Sequence, residues 1–188
     1  MRIHRLMAIV LFVALAAASI SARAGEYYVL DPAHTAVTFK VSHLGLSWTH
    51  GRFNSVSGGL VLDGGKASFV LDIKPESVDT GNAKRDEHLR SPDFFNVKQF
   101  PKISFKGDAV KAVKDGYEVK GDLTLHGTTK PVTFLLGGGR KAEFPKGKQR
   151  IGYSTELTIK RSEFGMDKMA EMIGDEVRIA ISFEATKD

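Results

Sequence analysis

From about residue 25 onward, apolar and polar side chains alternate with a period of two, and this periodicity constrains the fold more than any other feature. Val37, Phe39 and Val41 alternate with Thr38, Lys40 and Ser42, and Phe69, Leu71 and Ile73 with Val70, Asp72 and Lys74. The pattern returns through Tyr117–Leu125, through Ile151, Tyr153, Thr155, Leu157 and Ile159, and through Val177, Ile179, Ile181 and Phe183. Successive side chains of a strand point to opposite faces, so each run has one buried and one wet face, as in an antiparallel sheet. Asp63-Gly64-Gly65, Asp115-Gly116, His126-Gly127 and Gly137-Gly138-Gly139 are turn signals between the runs, and 137–147 reads as a basic, glycine-rich loop. Long strands joined by short turns form a meander, and closing it into a barrel removes its exposed edges. The expected fold is all-β, an antiparallel eight-stranded barrel.

Two segments interrupt the alternation. In Ser77–Phe105 a short helix is expected over Ala83–Arg90, with Asn82 as its N-cap and Pro92 limiting its extension. Leu89 is its one large apolar residue and must face the protein. Arg85 and Asp86, four and three residues earlier, then share that inward side. Charges placed there need partners, so they either staple the fold or serve a ligand. Phe94, Phe95 and Phe100 follow at once, which implies an apolar surface beneath them. In the second interruption Met166, Met169, Met172 and Ile173 recur at spacings of three and four, which predicts a short helix or helical turn near residue 168. Such methionines suit a core, or the flexible lining of a lipid cavity.

Residues 1–24 read differently. Arg2, His4 and Arg5 precede an apolar run over 6–18, and Ala22-Arg23-Ala24 is a small-x-small cleavage site, the arrangement of a secretory signal peptide. Cleavage is expected after Ala24, leaving residues 25–188 as one periplasmic domain. Arg2, Arg5 and Arg23 leave with the leader, so the 27 Lys and Arg become 24 against 22 Asp and Glu, and the net charge falls from +5 to +2. Nucleic-acid binding has no support in such a balance. There is no cysteine, and a domain of this size needs no disulfide to build a core.

No residue type is presented in a catalytic pattern. There is no G-x-S-x-G elbow, phosphate-binding loop or dinucleotide fingerprint. His34, His43, His50, His88 and His126 form no metal-type spacing, and His34, His43 and His126 suit hydrogen-bonding roles at turns and strand ends. Neither a catalytic residue nor a metal or other cofactor is expected. What remains is a site built by shape: apolar walls with a few placed polar groups.

The segment SVDTGNAKRDEHLRSPDFFNVKQFPKISF resembles the signature of the YceI family. The match runs through Ser77, Val78, Thr80, Asn82, Arg85, Asp86, His88, Leu89, Arg90, Ser91, Asp93, Phe94 and Phe95, then Phe100, Pro101, Ile103 and Phe105. Asp31, His34, Val37, Phe39 and His43, Gly51-Arg52-Phe53, Gly121–Gly127 and Arg161–Gly165 are further landmarks in order. The resemblance implies a lipocalin-like barrel that sequesters or carries a polyisoprenoid, such as a quinone or polyprenyl phosphate, or a similar amphiphile, with a membrane or membrane protein as donor or acceptor. Candidate residues for the lipid tail are Phe39, Val41, Leu46, Trp48 and Phe53 early in the chain, and Phe94, Phe95 and Phe105 around the helical insertion. Leu123, Leu125, Phe134, Phe164, Met166, Met169 and Met172 complete the set. Candidates for the head are His43, Arg85, His88 and Arg161, although Arg85 could instead pair internally with Asp86 or Asp93. The alternative reading is a secreted stress or interaction module whose barrel is filled by its own side chains.

Overall fold

The structure is a computed structural model that describes residues 25–63 and 66–187; the leader assigned to residues 1–24 and the Gly64-Gly65 turn lie outside them. The alternating runs form strands β1 (Glu26–His43), β2 (Ser47–Phe53), β3 (Val56–Asp63), β4 (Lys66–Ile73), β5 (Val78–Asp79), β6 (Ile103–Val113), β7 (Gly116–Leu125), β8 (Thr128–Glu143), β9 (Gln149–Lys160) and β10 (Ile173–Lys187). One α-helix, α1 (Ala83–Arg90), lies between β5 and β6.

All pairings are antiparallel. β1 pairs with β3 through Glu26–Val29 and with β2 through Val37–His43, so β2 and β3 are two halves of one wall strand broken at Asn54-Ser55. The wall then runs in chain order through β4, β6, β7, β8, β9 and β10, and closes where β10 pairs with β1 from Val29↔Thr186 to His43↔Ile173. Counting β2 and β3 together, the barrel is a closed eight-stranded meander. Closure leaves no long edge to template association. Strands of 18, 16 and 15 residues in β1, β8 and β10 suit tilted barrel strands, well above the usual length of about six.

The two ends differ. One receives the turns after β6 and β8 together with the start of β1 and the end of β10. Its interior is packed solid. Tyr28, Val119, Tyr153 and Phe183 are buried there, Phe69 stacks on Phe183 with ring centroids 5.3 Å apart, and Tyr153 meets both Phe183 and Tyr117. Burial and the neighbouring Tyr117 push the Tyr153 phenol up. Towards this end a β1 bulge between Leu30 and Thr35 is stapled by Arg150, whose Nη1 donates to Asp31 and to Glu184, each at 2.8 Å. Hydrogen bonds from His34 and Arg150 lower the Asp31 carboxyl to about 2. Asp31, His34 and Glu184 bring metal-type ligand atoms together, but Arg150 already bridges the two carboxylates.

The opposite end collects the β1–β2 turn, the 74–102 insertion, the His126-Gly127 turn and the 161–172 connection. Here β2, paired with β1 along one edge, meets only the two residues of β5 along the other, so the insertion fills the gap in the wall. Its helix forms as its sequence predicts: Asn82 Oδ1 accepts from the Arg85 N–H at 3.0 Å. Arg90 then donates to the Glu76 and Val78 carbonyls, tying the helix to the chain that leads into it.

Two expectations are corrected. Gly137–Gly139 is not a turn but part of β8, which continues to Glu143 and bulges between Gly138 and Arg140. Gly138 and Gly139 have φ of 118° and 86°, and a side chain at Gly139 would press on the Tyr153 ring, so these glycines permit the bulge rather than end the strand. Of the short helix or helical turn expected near residue 168, only turns form, with the Ile173 N–H donating to the Met169 carbonyl. A 3₁₀ turn at Arg161–Phe164 ends at Gly165, whose φ is 72°, and separate turns follow with Met169 at φ 57°. Methionine spacing imitated a helical period that the left-handed residues interrupt.

Candidate functional site

Above the aromatic plug the barrel encloses a cavity of about 890 Å³, near the top of the range for small-molecule sites. Inward positions of every wall strand line it: Phe39, Val41, Trp48 and Phe53 on β1 and β2, Phe105, Leu123, Leu125 and Phe134 on β6 to β8, and Leu157, Ile159, Ile179 and Ile181 on β9 and β10. The insertion contributes Phe94 and Phe95, and Phe95 meets Phe53 edge-on with centroids 5.5 Å apart. Met166 and Met169 enter from the 161–172 connection.

Three proposed wall residues stand elsewhere. Leu46 is 84% exposed at the tip of the β1–β2 turn, where it points off the barrel. Met172 is 40% exposed, because the turn from Met169 that closes on Ile173 carries it outward. Phe164 is fully buried but packs beneath the 3₁₀ turn and does not border the cavity. Sequence reasoning in turn missed Leu71, Ile73, Ile103, Val132, Leu157, Ile159, Val177, Ile179 and Ile181. Several belong to alternating runs already recognised as strands. The alternation marked their face but not their height in the barrel.

The four polar candidates, His43, Arg85, His88 and Arg161, all border the cavity, and Lys84 and His50 join them. Arg161 is 5% exposed. Its guanidinium donates to the carbonyls of Met166, Lys168, Ile173 and Gly174, binding the connection into one piece. Desolvation lowers its pKa against the opposing influence of Asp175 and Asp167. Arg85 pairs with neither Asp86 nor Asp93. Its Nε and Nη2 donate to Thr80 Oγ1 and O at 2.7 and 2.8 Å. His88 Nε2 lies 3.0 Å from Asp93 Oδ2, and this contact is the main reason the Asp93 carboxyl is lowered. Of the histidines assigned to turns, His34 contacts Asp31 and His126 the Phe164 carbonyl, whereas His43 faces the cavity. No aspartate or glutamate lines the cavity among the described residues.

A closed eight-stranded barrel, solid at one end and open inside at the other, is a lipocalin-like barrel. The chain belongs to the YceI-like domain family, whose pattern matches residues 28–185. It is similar to a UPF0312 protein of Pseudomonas paraeruginosa, 38% identical over 173 residues and covering 88% of this chain and 89% of that protein. Protein YceI of Salmonella arizonae is 37% identical over 174 residues, covering 89% and 90%. Among solved structures, the Campylobacter jejuni YceI protein superposes with a TM-score of 0.71 at 29% identity, covering 78% of this chain and 90% of that one. A polyisoprenoid binding domain from Saccharophagus degradans gives 0.65 at 17% identity, over 87% and 99%, a likeness of fold alone.

Proposed function

We propose that this protein is an exported binding protein that sequesters or carries a polyisoprenoid or similar amphiphilic lipid in its barrel cavity. The observation that carries this reading is the cavity of about 890 Å³, with apolar walls from β1, β2, β4 and β6 to β10 and polar groups gathered at the end where the insertion and connections meet. Membership of the YceI-like family and a fold shared with a polyisoprenoid binding domain support it.

The mechanism is equilibrium burial. Each CH₂ removed from water contributes about 0.8 kcal/mol, so one five-carbon isoprene unit contributes roughly 4 kcal/mol before the costs of association. The plug of Phe69, Tyr153 and Phe183 limits how deep the tail can go, which leaves the head near the mouth. A membrane, or a protein within it, then serves as donor or acceptor. No covalent step is needed, and the function is that of a carrier rather than an enzyme. The cavity weighs against the alternative of a barrel filled by its own side chains.

The test is mass spectrometry of an organic extract of protein purified from the periplasm, beside an Ile179→Trp variant whose indole would occupy the cavity. The expected result is a stoichiometric isoprenoid-tailed lipid from the natural protein and less from the folded variant. Repeatedly empty preparations that also take up no added lipid would overturn the reading. N-terminal sequencing of the same material tests export, with Gly25 as the expected first residue.

A further inference from the structure

Resting on that reading, we infer that the cavity is built for an amphiphile whose head group is an anion, a carboxylate or phosphate, held at the mouth by Lys84 and Arg85 in the field of Arg161. The inference comes from the sign of the charges that border the cavity: Lys84, Arg85 and Arg161 do, and no aspartate or glutamate does among the described residues.

Away from the mouth, some cations meet carboxylates. Arg150 takes Asp31 and Glu184, Lys102 takes Asp72, and Lys141 and Lys187 share Glu26. The cations bordering the cavity behave otherwise. Lys84 has neither a hydrogen bond nor an ion pair among the described residues. Arg85 rests on the hydroxyl and carbonyl of one threonine, and its Nη1 makes no hydrogen bond there. Arg161 is buried against four backbone carbonyls, which satisfy its N–H groups without cancelling its charge.

Carboxylates do lie nearby, but each is turned to other work. Asp86 accepts from the Thr80 N–H and Oγ1, Asp93 meets His88 and Lys168, and Asp175 accepts from the Ser162 N–H and Oγ. Asp167 and Asp175 act on Arg161 from outside the cavity, and the mouth itself offers positive charge and hydrogen-bond donors beside apolar walls with no carboxylate among its described lining residues. Lys84 and Arg85 are exposed at the rim and Arg161 is buried below it, so an anion arriving at the mouth meets cations whose charge-assisted hydrogen bonds are the strong kind. A neutral head such as an alcohol would receive hydrogen bonds but would leave the charge unmatched.

The experiment compares farnesoic acid with farnesol, which share a tail and differ at the head, and uses acetate as the anion without a tail. Trp48, the single tryptophan of the chain, borders the cavity and reports binding by its fluorescence. The natural protein should bind the acid about tenfold more tightly than the alcohol, with the preference shrinking as salt is raised. Acetate should not bind measurably. A Lys84→Gln/Arg85→Gln double variant should bring acid and alcohol to similar affinity, the acid losing far more than the alcohol. Lys84→Gln alone, which removes no internal contact, should already narrow the ratio without moving the melting temperature. Equal affinities in the natural protein, tighter binding of the alcohol, or a preference that survives the double substitution would each overturn the anionic head and leave lipid carriage standing. Acetate binding as tightly as farnesoic acid would overturn it as well. If neither ligand binds and extracts are empty, lipid carriage falls with it.

Discussion

The hydroxyl of Thr80 donates to the Asp86 carboxylate and accepts from Arg85 Nε, so one threonine links the two neighbouring charges of α1. Asp86 takes the Thr80 backbone N–H as well and is 7% exposed, closing the chain just before α1 onto the helix. The carboxylate serves the fold, and the guanidinium keeps its charge at the cavity mouth.

Asp86→Ala should therefore destabilise the protein by about 1.5–3 kcal/mol, the scale of hydrogen bonds to a charged group. Asp86→Asn retains one acceptor oxygen and should cost less. Urea denaturation of the three proteins checks the order. Equal stabilities would mean that the Thr80 contacts are replaced by water.

Arg161→Lys should lose at least about 3 kcal/mol, because one ammonium cannot reproduce a fork that reaches four carbonyls. Hydrogen exchange should localise part of the effect to 165–174. A globally stable variant with unchanged exchange there would show that the connection holds without the guanidinium.

Much of this architecture is legible in the sequence, because period-two alternation has one physical cause. The strands, the Asp115-Gly116 and His126-Gly127 hairpins and the Asn82 cap all follow from local rules, as does the inward placing of Leu89 and Asp86. Height inside the barrel is not local. Tyr153 and Leu157 lie on the same face of β9, yet one belongs to the plug and the other to the cavity wall. The difference depends on what the facing strands contribute at that level. Leu46, Phe164 and Met172 were misplaced for a related reason: hydrophobicity says that a residue prefers burial, whereas turn geometry decides what it reaches.

Acid should unfold the protein through its lowered carboxylates. Asp31 titrates near 2 in the folded state and near its ordinary value of 3.8 when unfolded. Its contribution is therefore complete above about pH 4 and is lost as the pH falls through 3.8 towards 2. Glu26, lowered chiefly by Lys187, and Asp79, lowered chiefly by the Gly81 N–H, act with the same sign. Asp31→Asn should be less stable at neutral pH and show a shallower loss across that window. A melting temperature that falls just as steeply in the variant would remove Asp31 from the account.

Phe164 and Met169 lie five residues apart in one connection and should respond in opposite ways. Phe164 is 1% exposed and borders no cavity, so Phe164→Ala should cost about 3–5 kcal/mol as a core truncation. Lipid affinity per folded molecule should hardly change. Met169 borders the cavity and is only partly buried, so Met169→Asp should leave folding largely intact while placing a carboxylate against the ligand tail. Retained lipid should then fall several-fold. Thermal melts and lipid content, measured on both variants, read the two effects separately. Parallel losses of stability and lipid in Met169→Asp would show that this methionine is core rather than wall, and would confine the ligand to the strands and α1.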